Sequence, residues 1–342
     1  MNDQPFIDTR NFSLVEAKRF FLRIGIAILL QRMIWIVLAN VMAIVVYRVA
    51  PDVYNTWWFP WIYNDFPHYF IAIPLCFLVM PRKIDVDSYV LSGGEDDEQT
   101  PRFGIGKMLI ALIVCFSGMY IFALIGEGVN SIINLLSGGM LGNTDALNDL
   151  ISATPWYVTI VGTCILAPII EEIVFRKWII DRARPFGEFA ACLLSGILFG
   201  LFHGNFLQGF YTTALGLIFA YVYIRTKNIW YTIAMHSIIN LFGSVIIPGL
   251  LSNENITNLN LILKGTVTNE TILSLVLVLI TEFLIFAAVV AGVVLFFVFV
   301  RKLVFKKPLL DTGVKPTKLM FGNAGVIAAI IVFSIAFIVA LL

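Results

Sequence analysis

Residues Ala167 to Ile180 read APIIEEIVFRKWII. Glu171, Glu172 and Arg176 interrupt an otherwise apolar run. A charged side chain at the centre of a membrane helix costs about 2.5–3.5 kcal/mol on insertion scales, so such residues face a protein interior and carry a task. Glu172 and Arg176 are four positions apart, share a helix face and neutralise each other. Glu171 is rotated by roughly 100° from Glu172 and has no equal claim on the same guanidinium. One carboxylate is left over, beside Ala167 and Phe175. A surplus carboxylate in apolar surroundings suits a general base that activates water.

A base needs partners, and the chain has only three histidines. His68, in NDFPHYF, is expected at an outer interface as a bystander. His203, in GILFGLFHGNF, and His236, in TIAMHSIINLF, stand inside apolar runs. Asn240 follows His236 by one helical turn, and Phe199 precedes His203 by one turn. A lone membrane histidine commonly serves as hydrogen-bonding glue. Two histidines, an asparagine and a surplus glutamate on three neighbouring helices instead make a constellation, each member of which chance would have to place separately.

The elements that must position these groups are membrane spans. The chain is 342 residues long, 59% hydrophobic and 13% charged, against about a quarter charged in a soluble domain. A spanning helix needs roughly 20 mostly apolar residues. Nine runs qualify, at 24–49, 59–80, 106–136, 156–179, 187–204, 207–225, 229–249, 271–300 and 322–342. With the N-terminus inside, 20 of the 23 lysines and arginines fall on the inner side, and that bias supports both the count and the orientation. YNTWWFPWIY fits an outer aromatic belt. Gln31 and Arg32 break the first run, so residues 14–32 offer an alternative as an interfacial amphipathic helix with 33–49 crossing alone. The expected fold is all-α, a polytopic transmembrane helical bundle of eight or nine spans, with a core of four helices carrying the active site. Its expected parts are 1–150, the N-terminal spans and an inner acidic loop at 92–101; 151–250, the catalytic core; and 251–342, an outer loop at 251–270 and the C-terminal spans.

Other features narrow the reading. A net charge of +1 gives no bulk attraction to nucleic acid. Cys76, Cys115, Cys164 and Cys192 lie in apolar runs without CxxC spacing and read as inert thiols. The N-terminal MNDQPFIDTRNF carries acids and a proline before any apolar run, unlike a cleavable signal peptide.

EExxxR at Glu171–Arg176, FxxxH at Phe199–His203 and HxxxN at His236–Asn240, each on its own span, resemble the CPBP family of intramembrane proteases, the CAAX-protease and bacteriocin-processing group also called Abi. The resemblance covers about 156–249. It implies an intramembrane endopeptidase with Glu171 as the water-activating residue and His203 helping to hold that water. His236 and Asn240 would steady the oxyanion, and Glu172 and Arg176 would form a supporting ion pair near Phe199. The family is often labelled a metalloprotease, yet there is no HExxH. Glu171, His203 and His236 are the candidate ligands if a Zn²⁺ takes part; a metal-free, glutamate-activated hydrolase uses the same residues, and Asn240 suits an oxyanion donor better than a zinc ligand. Implied partners are the bilayer and a membrane-associated peptide or protein. The default location is a bacterial cytoplasmic membrane.

Counting along the spans puts Glu171 and His236 about 10–14 Å deep from the inner face at helical rise, while His203 falls at the far end of its span. They meet only if 187–225 is a short hairpin with a submerged turn near Gly204–Gly209, which requires that turn to line protein or a wet cavity. The four residues are then expected to line one cavity between the spans at 156–179, 187–204 and 229–249, with Glu171 on the order of 3–6 Å from a ring nitrogen of His203 or His236. Two rival readings remain. One is a catalytically silent scaffold that regulates membrane partners. The other is a transporter with Glu127, Glu171 and Glu282 as a proton relay, in which Glu127 or Glu282 also offers a partner for Arg32.

Overall fold

The computed structural model describes residues 12–84, 103–142 and 146–341, and within these it is helical with no strand. Ten helices organise it: α1 (Leu14–Val49), α2 (Phe59–Val79), α3 (Ile105–Leu136), α4 (Trp156–Phe186), α5 (Glu188–Phe202), α6 (Phe206–Thr226), α7 (Ile229–Leu241), α8 (Asn253–Leu263), α9 (Asn269–Val300) and α10 (Ala324–Val339). Seven helices are long and apolar enough to cross a membrane, the one beginning at Ile229 running on through short segments to Leu263; α5 and α10 are shorter apolar helices. The molecule is an all-α polytopic bundle. Its outer surface is greasy, with Leu279, Phe283, Phe286 and Phe297 of α9 all exposed, while Glu172, Arg176, Ser195 and Thr232 are buried.

The first span is one continuous helix rather than an interfacial helix joined to a separate crossing. Ser13 caps it by accepting from the Glu16 amide, and the Glu16 carboxylate accepts from the Ser13 amide in return. Its 36 residues extend about 54 Å at 1.5 Å per residue, well beyond a ~30 Å hydrocarbon core. Gln31 and Arg32 do not break it because both are buried against other helices. The Arg32 guanidinium lies over the Trp35 ring at 4.5 Å and the Phe333 ring at 5.5 Å, and donates to the Phe202 carbonyl at 3.2 Å. Glu127 and Glu282 are exposed on α3 and α9, so neither joins Glu171 in an interior relay. Helix α10 crosses α1 where a Cβ on Gly25 would overlap the backbone of Gly325; glycine pairs permit such close approach between apolar helices.

Two further expectations are corrected. Residues 251–270 are not an open loop, since Asn253–Leu263 is helical. Asn258 donates to Ser274 at 2.9 Å, Ser274 to Asn255 at 2.8 Å and Asn255 to the Leu250 carbonyl at 2.9 Å, which fastens α8 to α9. His68 is buried rather than interfacial, stacked on Trp35 at 4.9 Å and 5.2 Å from the Phe202 ring. The acidic stretch 92–101 lies outside the described residues. All four cysteines are free and buried.

Helices α4 to α7 hold the three motifs. Helix α5 has 15 residues, about 22 Å at helical rise, too short for a ~30 Å core. That length is compatible with the short hairpin expected over 187–225. Protein groups serve several polar atoms of the turn. Gly204 is buried at φ +69°, a left-handed conformation that favours glycine. Asn205 caps α6 by accepting from the Gln208 amide at 2.9 Å and donates back to the His203 carbonyl at 3.2 Å. Arg32 serves the last α5 carbonyl from outside. Backbone inside a bilayer persists only when its polar groups are so satisfied.

Candidate active site

The two glutamates close an α-helical segment, Ala167–Glu172, between two wide π-helical stretches, Ile160–Leu166 and Ile173–Ile180. Pro168 contributes to the irregularity, because a proline inside a helix has no amide hydrogen for the ladder. Wide turns of this kind recur at functional positions. Here they set Glu172 toward Arg176 and α7, with Glu171 beside it facing the same α7 histidine.

Glu172 is the hub. Its Oε2 is 2.9 Å from Arg176 Nε, and both side chains are fully buried. The contact is an ion pair whose N–H is not aligned on the oxygen, since neither atom has a hydrogen-bond partner by geometry. The other oxygen, Oε1, is 3.1 Å from His236 Nδ1. A carboxylate only accepts, so Nδ1 carries the hydrogen. The other ring nitrogen, Nε2, faces Glu171 Oε2 at 3.9 Å. His236 is thus held between two carboxylates, one anchored and one not. Glu171 Oε2 is buried without any hydrogen-bond partner, on a side chain 12% exposed. At that distance the two atoms are in electrostatic range but not hydrogen-bonded to each other.

His203 stands at the end of α5, where its Nδ1 is 2.9 Å from the Phe199 carbonyl. A carbonyl cannot donate, so Nδ1 is the protonated nitrogen and Nε2 presents a lone pair. The Phe199 ring lies edge-on to both imidazoles, at 5.1 Å from His203 and 5.6 Å from His236, and the Arg176 guanidinium sits 4.7 Å over the same ring. Asn240 lies one turn beyond His236 and donates to the Thr163 carbonyl at 2.7 Å, tying α7 to the wide turn of α4. Its second amide hydrogen is left over. Glu171, Glu172, Arg176 and His236 therefore form one contiguous cluster; His203 adjoins it through Phe199, and Asn240 is fixed at its edge.

A cavity of about 930 Å³ lies elsewhere, between α3, α5, α6 and α9, and none of Glu171, His203, His236 and Asn240 lines it. The site is close-packed, with Glu171 at its accessible edge. A metal was also tested against the donors. Glu172 is engaged by Arg176 and His236, whereas His203 and His236 each use Nδ1 and keep Nε2, the pattern a metal-bound imidazole also shows. Among the described residues, no group of three or more His, Cys, Asp and Glu side chains is arranged to hold a metal ion. As they stand, Glu171, His203 and His236 are not assembled into a His₂Glu site.

Sequence reasoning missed part of the surroundings. Asp65 and Tyr69 of α2 lie within electrostatic range of Glu171, and Arg32 of α1 serves the carbonyl just before His203. Arg32 was visible as an intramembrane cation; its target was not, because a backbone carbonyl has no sequence signature. Replacing Arg32 by Met keeps the apolar contacts but leaves the Phe202 carbonyl unserved at depth. We expect Arg32→Met to lower stability by about 1–3 kcal/mol, the usual cost of a stranded buried group, and to reduce peptidase turnover through the His203 turn. Thermal melting with a parallel activity assay checks both. Unchanged turnover in the destabilised variant would confine Arg32 to packing.

Buried carboxylates, histidines and a guanidinium gathered inside an apolar helical bundle define an integral, multi-pass membrane protein with the makings of a hydrolytic site. Residues 153–242 match the family model described as Type II CAAX prenyl endopeptidase Rce1-like. The chain is 32% identical over 177 residues to "Putative membrane peptidase YdiL" of Bacillus subtilis (strain 168), covering 51% of this chain and 67% of that protein. It is 31% identical over 108 residues to "UPF0177 protein YbdJ" of Lactococcus lactis subsp. lactis (strain IL1403), covering 31% of this chain and 46% of that one. No solved structure matches. The chain belongs to the CPBP family of CAAX-type membrane proteases and is a peptidase.

Proposed function

We propose that the protein is an endopeptidase that cleaves a membrane-associated peptide or protein with a water activated by Glu171. The observation that carries this is His236 held between Glu172 and the unpartnered Glu171. The Arg176 guanidinium offsets the Glu172 carboxylate in the buried cluster, and His236 stands between the two glutamates. Glu171 takes a proton from the water as its oxygen attacks the scissile carbonyl. The Nε2 lone pair of His203 accepts a hydrogen bond from that water. Negative charge then moves to the carbonyl oxygen, where His236 Nε2–H and the second amide hydrogen of Asn240 donate. As the tetrahedral intermediate collapses, the C–N bond breaks and Glu171 returns its proton to the leaving amine.

The family description makes a prenylated C-terminal tail the first substrate to try, with leader peptides or small membrane peptides next. The distribution of cations supports an inside N-terminus, and a bacterial cytoplasmic membrane fits the two bacterial relatives. Removing an oxyanion donor costs about 10²–10³ in kcat. His236→Ala is therefore expected to slow cleavage by that factor, and His203→Ala to slow it as well, with mass spectrometry of the peptide products as the measurement. Wild-type rates in both variants would overturn the assignment. Tight binding without cleavage by the wild-type protein would favour a scaffold.

A further inference from the structure

The cavity of about 930 Å³ has no part in the chemistry above, and its size lies near the upper end of the ~300–1,000 Å³ typical of ligand sites. Two fixed points brace it. Helix α9 touches α3 where Ser117 donates to the Val289 carbonyl at 3.0 Å and Gly292 meets Ser117 without room for a Cβ. Further along, Phe305 closes on Phe189 at 5.3 Å and on Tyr221 at 5.4 Å. Between these points α9 stands off the α5–α6 hairpin, and Ala111, Val114, Leu193, Leu217 and Phe296 wall the space.

The mouth is basic. Lys107, Arg225, Lys227 and Lys302 line it, and no aspartate or glutamate is among the lining residues. Arg225 pairs with Glu188 through Nη2, while its Nε is buried without a hydrogen-bond partner. Lys302 lies 5.1 Å from the Phe299 ring centre, over the aromatic edge of the cavity. An apolar slot ending in cations at one end of membrane helices is complementary to a molecule with acyl tails and one anionic head.

We infer that this cavity is a binding site for an anionic phospholipid of the surrounding membrane, with acyl tails between α9 and the α5–α6 hairpin and the phosphate among Lys107, Arg225, Lys227 and Lys302. Basic side chains near a membrane surface attract anionic lipid headgroups. The site is separate from the peptidase residues and stands whether or not Glu171 is the base.

The test uses the full chain in nanodiscs of phosphatidylcholine containing phosphatidylglycerol, with retained lipid measured by native mass spectrometry. Wild-type protein is expected to keep phosphatidylglycerol over phosphatidylcholine by roughly tenfold. The triple variant Lys107→Gln, Lys227→Gln and Lys302→Gln should lose that preference, and Ala111→Phe, which fills the slot, should lower retention of both lipids. Equal retention of the two lipids by wild type would overturn the proposal. So would a preference that survives the triple variant, or undiminished retention in folded Ala111→Phe. If Ala111→Phe fails to fold, the charge variant alone decides.

Discussion

Glu171→Gln is expected to cleave substrate about 10²–10⁴-fold more slowly, the span attributed to a general base, and to melt at close to the wild-type temperature. The second half of that statement matters as much as the first. Gln has nearly the shape of Glu, and Glu171 Oε2 makes no hydrogen bond that the amide would lose. The ion pair that fastens α4 internally runs through Glu172 instead. A loss of activity without loss of fold therefore isolates proton transfer. The same substitution at Glu172 would disturb two contacts, to Arg176 and to His236, and cannot make that separation. Product analysis by mass spectrometry and thermal melting of the same preparations check the prediction. Turnover at the wild-type rate in Glu171→Gln would remove the base from the mechanism.

The contrast between the adjacent glutamates was legible before any coordinates. A rotation of roughly 100° separates them on a helix, so one guanidinium four residues away serves only one well. The sequence also marked the short hairpin, because 187–225 cannot make two full crossings and a turn. It did not reveal that Glu172 holds His236. The i,i+4 pairing is local, whereas the bond to His236 joins residues 64 positions apart. Nor did it show where Asn240 turns. Its partner is the Thr163 carbonyl, and no side-chain pattern announces which backbone oxygen a π-helical turn exposes.

Charge misled the reading of the first span for a related reason. Gln31 and Arg32 look like an interruption when the only alternatives are lipid and water. Inside the bundle they meet aromatic rings and the carbonyl of Phe202, so the helix runs through. His68 was read as a surface residue from its flanking Asn64, Asp65 and Pro67, yet its ring stacks between Trp35 and Tyr69. Hydropathy locates a span along the chain and is blind to which of its faces another helix will cover. The cavity of about 930 Å³ likewise lies away from the four site residues. Chemistry requires the four groups to converge, but convergence in a close-packed protein leaves only an edge, and the open volume arises where α9 stands off its neighbours.

Arg176 is where stability and activity are expected to part. Its side chain is fully buried, paired with Glu172, and lies 4.7 Å from the Phe199 ring. Removing one partner of a buried pair costs about 3–5 kcal/mol, because the other charge is stranded in low dielectric. Arg176→Ala should therefore melt well below wild type and accumulate poorly. Replacing both charges by apolar residues of similar volume is often neutral for stability, so Glu172→Leu with Arg176→Met should recover much of the loss. It should not recover cleavage. Without the Glu172 carboxylate, His236 Nδ1 has no acceptor, the ring is free to turn, and Nε2 is no longer aimed toward Glu171. A double variant that is stable and inactive would place the pair in the positioning of His236. A double variant that is stable and cleaves normally would leave Glu172 and Arg176 as packing alone, and His236 would then need another means of being held.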